Sequence, residues 1–511
     1  MNGPHLNRRQ TVASLLCSAI VPGAAAAKPA RKYDETFRPQ VHFSPAMNWT
    51  NDPNGLIWLD GEYHLFFQYN PFGDKWGHMS WGHAVSTDLM HWKQLPVAIP
   101  EDAGNMIFSG SAVLDRGNTS GFGTAGRAPL VAVYTGFAEK NGGLQSQQIA
   151  FSLDRGRTWT KYGGNPVLDL GMKDFRDPKV FWFEPAKKWV MAVSRAAERK
   201  VAFYQSPDLK AWTQTGEFGP AGTIDGVWEC PDLFRLPVEG HAGEFKWVLK
   251  VDSSPTKAGS GCGGQAFVGE FDGNTFAADD PRSVSLDMGE DFYASASWND
   301  APGGRRLTIG WMANPRYAQD APTSPWRGAM SLPREVSLRA DPAGTTIIQR
   351  PVRELASLQI RRTRLAGVAT GNDGKLLFNA APKDAAHRIR ARLRTADSAG
   401  FAVVVSARNM TVMSIDYDAT AGRLSVARMG PTSMPTFASG NSAALAPRNG
   451  EIMLDMIVDR SSVEVFANDG ERTISELMFP DEGAYTVSIE GKDEAAIIEE
   501  ADVWTLKSVW S

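Results

Sequence analysis

Asp52 in WTNDPNG, Asp177 in FRDPKVF and Glu229 in WECPDLF are three acids in aromatic and apolar settings. A carboxylate there is costly to desolvate unless it has a task. Cleavage of a glycosidic bond is such a task. It needs an ionised carboxylate and a protonated one, about 5–5.5 Å apart when the product retains its anomeric configuration. The three acids are separated by about 125 and about 50 residues. No local segment can hold them, so a fold must gather distant parts of the chain at one point.

Asp52 suits the nucleophile. Asn51 and Asn54 can orient a carboxylate and favour its charge, and Pro53 and Gly55 imply a tight turn that aims it. Glu229 suits the general acid/base, because Trp228, Cys230 and Pro231 surround it with groups that favour a neutral carboxyl. Arg176 precedes Asp177 and would keep it ionised as a hydrogen-bond acceptor for sugar hydroxyls. Taken singly, each motif has a structural alternative: an ordinary turn, a strand-end acid paired with an arginine, and an Arg–Asp ion pair.

The elements around these acids read as strands. LIWLDGEYHLFFQYNP, PLVAVYTGF, KVFWFEPAKKWVMAVSR, FKWVLKVDSS and RRLTIGWMAN are apolar runs broken by turn residues, and no helical period extends far. A weak repeat joins them. STDLMHW (86–92), SLDRGRTW (152–159) and SPDLKAW (206–212) share a Ser, an Asp and a closing Trp, and FDGNTF (271–276) is a decayed fourth copy. That recurrence predicts one four-stranded sheet per unit and a five-bladed β-propeller over residues 38–340. Residues 341–360 read as a connection. Residues 361–511 alternate at period two in segments such as FAVVVSARN, EIMLDMIVD and SSVEVFAND, which predicts a β-sandwich. The expected class is all-β.

Composition narrows the function further. A net charge of −4 with no basic stripe excludes a nucleic-acid footprint. Residues 1–27 read as an export signal: Arg8-Arg9 precedes an apolar stretch ending in Ala24–Ala27. The Asn7–Val12 segment fits a twin-arginine leader, and an ordinary secretory signal is the alternative. The expected location is therefore periplasmic or extracellular. Three cysteines, Cys17, Cys230 and Cys262, do not make a disulfide framework, and a Cys230–Cys262 pair stays open. No His and Cys spacing suggests zinc, so no metal and no cofactor are expected.

Together the three motifs resemble glycoside hydrolase family 32, the β-fructofuranosidases. FFQYNP (66–71), WGHAVSTDLMHW (81–92), FSGSAV (108–113), DFYASASW (291–298), GWMAN (310–314) and SSVEVFANDG (461–470) extend the resemblance over nearly all of the chain after residue 27. It implies a propeller with an axial active site followed by a sandwich. Asp52 would be the nucleophile, Glu229 the acid/base and Asp177 the stabiliser of the transition state. Asn51, Gln68, Trp76, Phe108, Ser109, Arg176, Tyr293 and Trp311 would line the fructosyl pocket. The substrates implied are levan, inulin and sucrose, attacked from the fructose end. Alternatives are a fructosyltransferase or levanbiohydrolase of the same family, and a non-catalytic fructan-binding protein. A monomer or homodimer without a membrane anchor is expected. The chain departs from the family pattern at Thr50, His78 and Ser80, which are expected near the pocket and to tune leaving-group preference.

Overall fold

The computed structural model describes residues 33–510 apart from 103, 125, 256–262, 342–343, 370–375, 381–385, 396–399, 409, 431–433, 435, 481–484 and 493–495. The expected leader, Cys17 and Cys262 lie outside the described residues, and with them the question of a Cys230–Cys262 pair.

Five antiparallel sheets succeed one another along the first part of the chain, and each takes its strands in sequence order. Blade 1 holds Asn48–Leu59, Glu62–Tyr69, Ser80–Ser86 and Lys93–Ile99. Blades 2, 3 and 4 open with Asn105–Leu114, Phe175–Phe183 and Gly226–Pro237. Blade 5 holds Tyr293–Ser297, Leu307–Trp311, Arg334–Asp341 and Gly344–Pro351. The segment 341–360, expected as a connection, therefore supplies the last strand of blade 5 and then a 3-10 turn at Arg353–Leu358. The opening strands touch in a closed ring, each packing on the next and the fifth on the first. A parallel pair of Asn48–Trp49 with Trp326–Arg327 adds a seam to that closure. This is the five-bladed propeller.

The sequence repeat marks the outer hairpin of blades 1 to 4. In blade 1 the Asp88 carboxylate accepts from the N–H groups of Met90 and His91, and Trp92 donates its indole N–H to the Leu89 carbonyl. Asp154 with Trp159 and Asp208 with Trp212 repeat the arrangement in blades 2 and 3. Asp272 caps the equivalent turn of blade 4 through Asn274 and Thr275. A short acceptor two residues after the strand end replaces the missing ladder bonds, and the Trp pins the turn to the blade. Leu89 and Leu209 accept the left-handed backbone that such a turn demands, with φ of 65° and 64°.

The remainder of the chain forms two six-stranded sheets. Strand Gly400–Ala407 alternates between the sandwich interior and its outer face, and His387–Arg394 points Ile389, Ala391 and Leu393 inward and its arginines outward. This sandwich abuts the propeller through buried ions. His42 bridges Asp459 at 2.8 Å and Glu464 at 2.9 Å, all three side chains being fully buried. Arg334 of blade 5 reaches the same Glu464 at 2.8 Å and Asp287 at 3.0 Å. Unpaired, each of these charges would oppose burial by several kcal/mol. Paired across the joint, they specify one docking of the two bodies.

Candidate active site

Every opening strand breaks its ladder at the residues that face the propeller axis. The register slips between Thr50 and Pro53, Ile107 and Gly110, Arg176 and Lys179, Glu229 and Asp232, and Tyr293 and Ala296. A β-bulge leaves one residue out of the ladder and re-aims its side chain. Asp177, Cys230 and Ala294 take left-handed backbone there, with φ of 66°, 48° and 50°. Pro178 and Pro231 fall inside these breaks, where a ladder N–H is not required, and Pro53 stands at the edge of one, opposite Phe67. The expected turn at Asp52–Gly55 is thus a bulged strand interior. Asn-Asp-Pro-Asn-Gly supplies the same local chemistry to both. Gly110 is forced by proximity: a Cβ there would lie 2.1 Å from the Val133 carbonyl oxygen of the next strand.

Other bonds hold the bulges in place. Asn54 accepts the Gly110 N–H at 3.0 Å and so ties blade 1 to blade 2. Thr135 accepts the Asp177 N–H at 2.9 Å. Behind the floor, the buried Lys250 ammonium donates to the Cys230 carbonyl at 3.1 Å and also contacts the Ser295 carbonyl and the Asp252 carboxylate.

A cavity of about 490 Å³ opens where the bulges meet. Asp52, Asp177 and Glu229 line it together with Asn51, Gln68, Trp76, Phe108, Ser109, Arg176, Tyr293 and Trp311, so all the expected residues converge there. Trp49, Phe137, Gln145, Asp174, Ser254, Pro315 and Gln319 line it too and were not anticipated. Trp49 opens the first motif and Asp174 adjoins the second, which was a usable signal. The other five carry no motif of their own. Below Asp177 the axis narrows to a space of about 30 Å³, room for roughly one water and no sugar.

Two of the acids are held in different ways. The Asp52 carboxylate accepts from Ser109 Oγ at 2.6 Å and Asn51 Nδ2 at 2.9 Å. Asn51 is itself fixed by the Trp49 indole N–H at 2.7 Å. Glu229 accepts Arg176 Nε and Nη2 on one oxygen at 3.2 and 2.9 Å, and the Tyr293 hydroxyl on the other. Arg176 also donates to Asp174 at 2.7 Å and Gln145 at 3.3 Å. Its nearest approach to Asp177 is 3.9 Å. The expectation that Arg176 chiefly keeps Asp177 charged is therefore corrected: the guanidinium serves Glu229. Asp177 instead accepts the Cys230 N–H at 2.9 Å, and the Cys230 thiol lies 3.6 Å from both Asp52 and Asp177.

Electrostatics follow from three acids around one fixed cation. Burial pushes Asp177 up to about 7; Arg176 opposes the rise, and the charges of Glu229 and Asp52 add to it. Burial also raises Asp52, while Ser109 and Asn51 pull it back and the Glu229 charge lifts it further. Burial works against Arg176, yet Glu229 and Asp177 more than offset this and keep it cationic. Burial and the two aspartates push the Cys230 thiol well up, so it stays protonated. Such an arrangement can present one ionised carboxylate, one oriented carboxyl and hydrogen-bond acceptors to a sugar ring.

The three departures from the family pattern do not line the cavity. Thr50 is buried and donates to the Gln68 carbonyl at 3.0 Å. Ser80 accepts the Glu101 N–H, and the exposed His78 pairs with Glu101 at 2.7 Å. Their expected influence on leaving-group preference thus lacks a direct contact.

Comparison with known proteins agrees with this geometry. Residues 42–351 match the Glycosyl hydrolases family 32 N-terminal domain, and residues 354–505 match the family 32 C-terminal domain. A levanase of Bacillus subtilis is 45% identical over 490 residues, covering 94% of this chain and 72% of that protein. An extracellular exo-inulinase of Aspergillus ficuum is 39% identical over 540 residues, covering 98% and 100%. Among solved structures, a fructofuranosidase from Schwanniomyces occidentalis complexed with fructose superposes with a TM-score of 0.86 at 32% identity, covering 94% of this chain and 100% of that one.

Proposed function

The chain belongs to glycoside hydrolase family 32, and from that premise we propose how its cavity works. It is a β-fructofuranosidase, a glycosidase that hydrolyses O-glycosyl bonds and releases fructose. Asp52 attacks the anomeric carbon of a terminal fructosyl unit while Glu229 protonates the departing oxygen. Glu229 then activates water, which releases fructose with retention. Asp177 accepts hydrogen bonds from the fructosyl hydroxyls and opposes the positive charge that builds on the ring. Asn51, Gln68, Trp76, Phe108, Ser109, Arg176, Tyr293 and Trp311 form the fructosyl pocket.

The observation that carries this reading is the pairing of supports. Ser109 and Asn51 donate to Asp52 and so favour its ionised form. Arg176 and Tyr293 fix Glu229 by both oxygens. Both side chains are thereby held in fixed orientation at the cavity, as a nucleophile and an acid/base acting on one bond must be. We propose levan, inulin and sucrose as substrates. Export follows from the leader-like first 27 residues, and the mature enzyme works as a monomer or homodimer.

Time-resolved product profiles on levan, inulin and sucrose test the assignment. Free fructose is expected from the first minutes on all three, without intermediate oligosaccharides. Net oligosaccharide growth at high sucrose would instead assign fructosyl transfer. A scatter of medium-length fructans would assign internal cleavage, and no reducing sugar at all would leave only binding.

A further inference from the structure

We infer that Arg428, a β-sandwich residue, is a positioning residue for the catalytic cavity, acting through Asp291 and Tyr317 of the propeller. The inference rests on the roles proposed above for Glu229 and Tyr293, and it assigns a task in catalysis to the second domain.

Arg428 ends strand Arg423–Arg428 and is fully buried. One amino group of its guanidinium contacts an oxygen of Asp291, and the other donates to the Tyr317 hydroxyl at 2.8 Å. Its Nε donates to the Phe437 carbonyl at 2.9 Å. Tyr317 in turn donates to the second oxygen of Asp291 at 2.7 Å. Arginine, aspartate and tyrosine thus close a hydrogen-bonded triangle that spans the two domains. The planar fork suits several directed bonds at once, which an ammonium cannot reproduce.

Both propeller members of the triangle are joined to the cavity. Asp291 lies two residues before Tyr293, whose hydroxyl grips Glu229. The segment leading into Tyr293 is laid along the sandwich edge strand Arg472–Leu477. Met288 N–H donates to the Thr473 carbonyl at 2.8 Å, Asp291 N–H to the Ser475 carbonyl at 3.0 Å, and Leu477 N–H to the Asp291 carboxylate at 2.8 Å. Tyr317 sits between Pro315 and Gln319, which both line the cavity. Tyr317, Phe437, Trp311, Tyr293 and Trp49 belong to a single apolar cluster, so packing is continuous from the triangle to the cavity wall. With an ammonium in place of the fork, the directed donors to Asp291, Tyr317 and the Phe437 carbonyl are no longer all supplied, and the strand entry must shift to relieve it. Tyr293 then loses its aim at Glu229.

The test is a double-mutant cycle on the full enzyme, with sucrose kinetics and thermal melting measured for Arg428→Lys, Tyr317→Phe, Tyr293→Phe and the paired variants. Arg428→Lys is expected to lower kcat about tenfold or more at 25 °C while folded by circular dichroism. In the Tyr293→Phe background the same change should cost less than about twofold, because the target of the positioning is already gone. Ile415→Ala, in the sandwich interior, controls for mere destabilisation: its Tm should fall at least as far with kcat within about twofold. If Arg428→Lys does not fold, the Tyr317→Phe and Tyr293→Phe cycle decides by the same non-additivity. A folded Arg428→Lys enzyme with near-normal kcat, or losses that multiply in full, would overturn the inference. Glu229→Ala assayed alongside separates the two ideas: activity surviving there defeats the role of Glu229, whereas the coupling between Arg428 and Tyr293 is read independently of it.

Discussion

Arg176 places two donors on a single oxygen of Glu229, in the neighbouring blade, and stands 3.9 Å from Asp177, its neighbour in sequence. Fork geometry explains the choice. A guanidinium bonds where its N–H vectors converge, and the bulge at Asp177 turns that carboxylate towards Cys230 instead. Replacing Arg176 by Lys should keep the charge and lose the convergence. The expected result is a loss of about 10²–10³-fold in kcat/KM on sucrose with an unchanged circular dichroism spectrum. A loss under threefold would show that charge alone suffices.

Ser109 is the shortest partner of Asp52. It favours the ionised carboxylate against the burial that raises its pKa. Removing the hydroxyl in Ser109→Ala should let the Asp52 pKa climb. The acid limb of the kcat/KM profile then moves to higher pH, with a loss of about 10–100-fold near its optimum. A limb that stays in place or moves to lower pH would disconnect Ser109 from the nucleophile.

Asp177 gives a stability signature. Its pKa in the folded protein is pushed up to about 7, above the usual carboxylate value. A carboxyl raised on folding stabilises the native state below its unfolded pKa and loses that contribution as pH climbs through the folded value. The Tm of the substrate-free enzyme should therefore fall from about pH 4 to pH 7 relative to Asp177→Asn, whose amide stays neutral. Parallel Tm curves for the two proteins across that range would refute the shift.

His42 works in a higher window. Burial disfavours its charge, but Asp459 and Glu464 overcome this and raise it to about 9. The protonated ring stabilises the domain joint fully below its ordinary pKa of about 6.5, and the contribution fades as pH passes about 9. His42→Ala is expected to lose about 3–5 kcal/mol near pH 6 in chemical denaturation. The gap to the parent enzyme should narrow by pH 10. A gap that does not change with pH would mean the ring is neutral in the native joint.

Much of this fold is legible in the sequence because its signals are local. The Ser, Asp and Trp of the outer hairpins of blades 1 to 3 act within a few residues, so the repeat marks real turns, and strand alternation in the sandwich reflects one buried face per strand. The bulges are not legible, since register is a relation between two strands and Asn-Asp-Pro-Asn-Gly reads equally well as a turn. The destination of Arg176 depends on how far apart two blades sit. Gly344–Pro351 falls in the segment expected as a connection, and its strand character lies in its pairing with Arg334–Asp341. Gln145, Phe137 and Gln319 reach the cavity from parts of the chain with no local mark. Thr50, His78 and Ser80 are near the cavity in sequence but turn away from it.

The three acids stand on the opening strands of blades 1, 3 and 4. Each blade taken alone contributes at most one of them. A nascent chain, a proteolytic fragment or a half-closed ring holds no working pair, so hydrolysis begins only once the circle is complete. Recovered turnover during refolding thus reports the final assembly step and stays silent about the blades that formed before it.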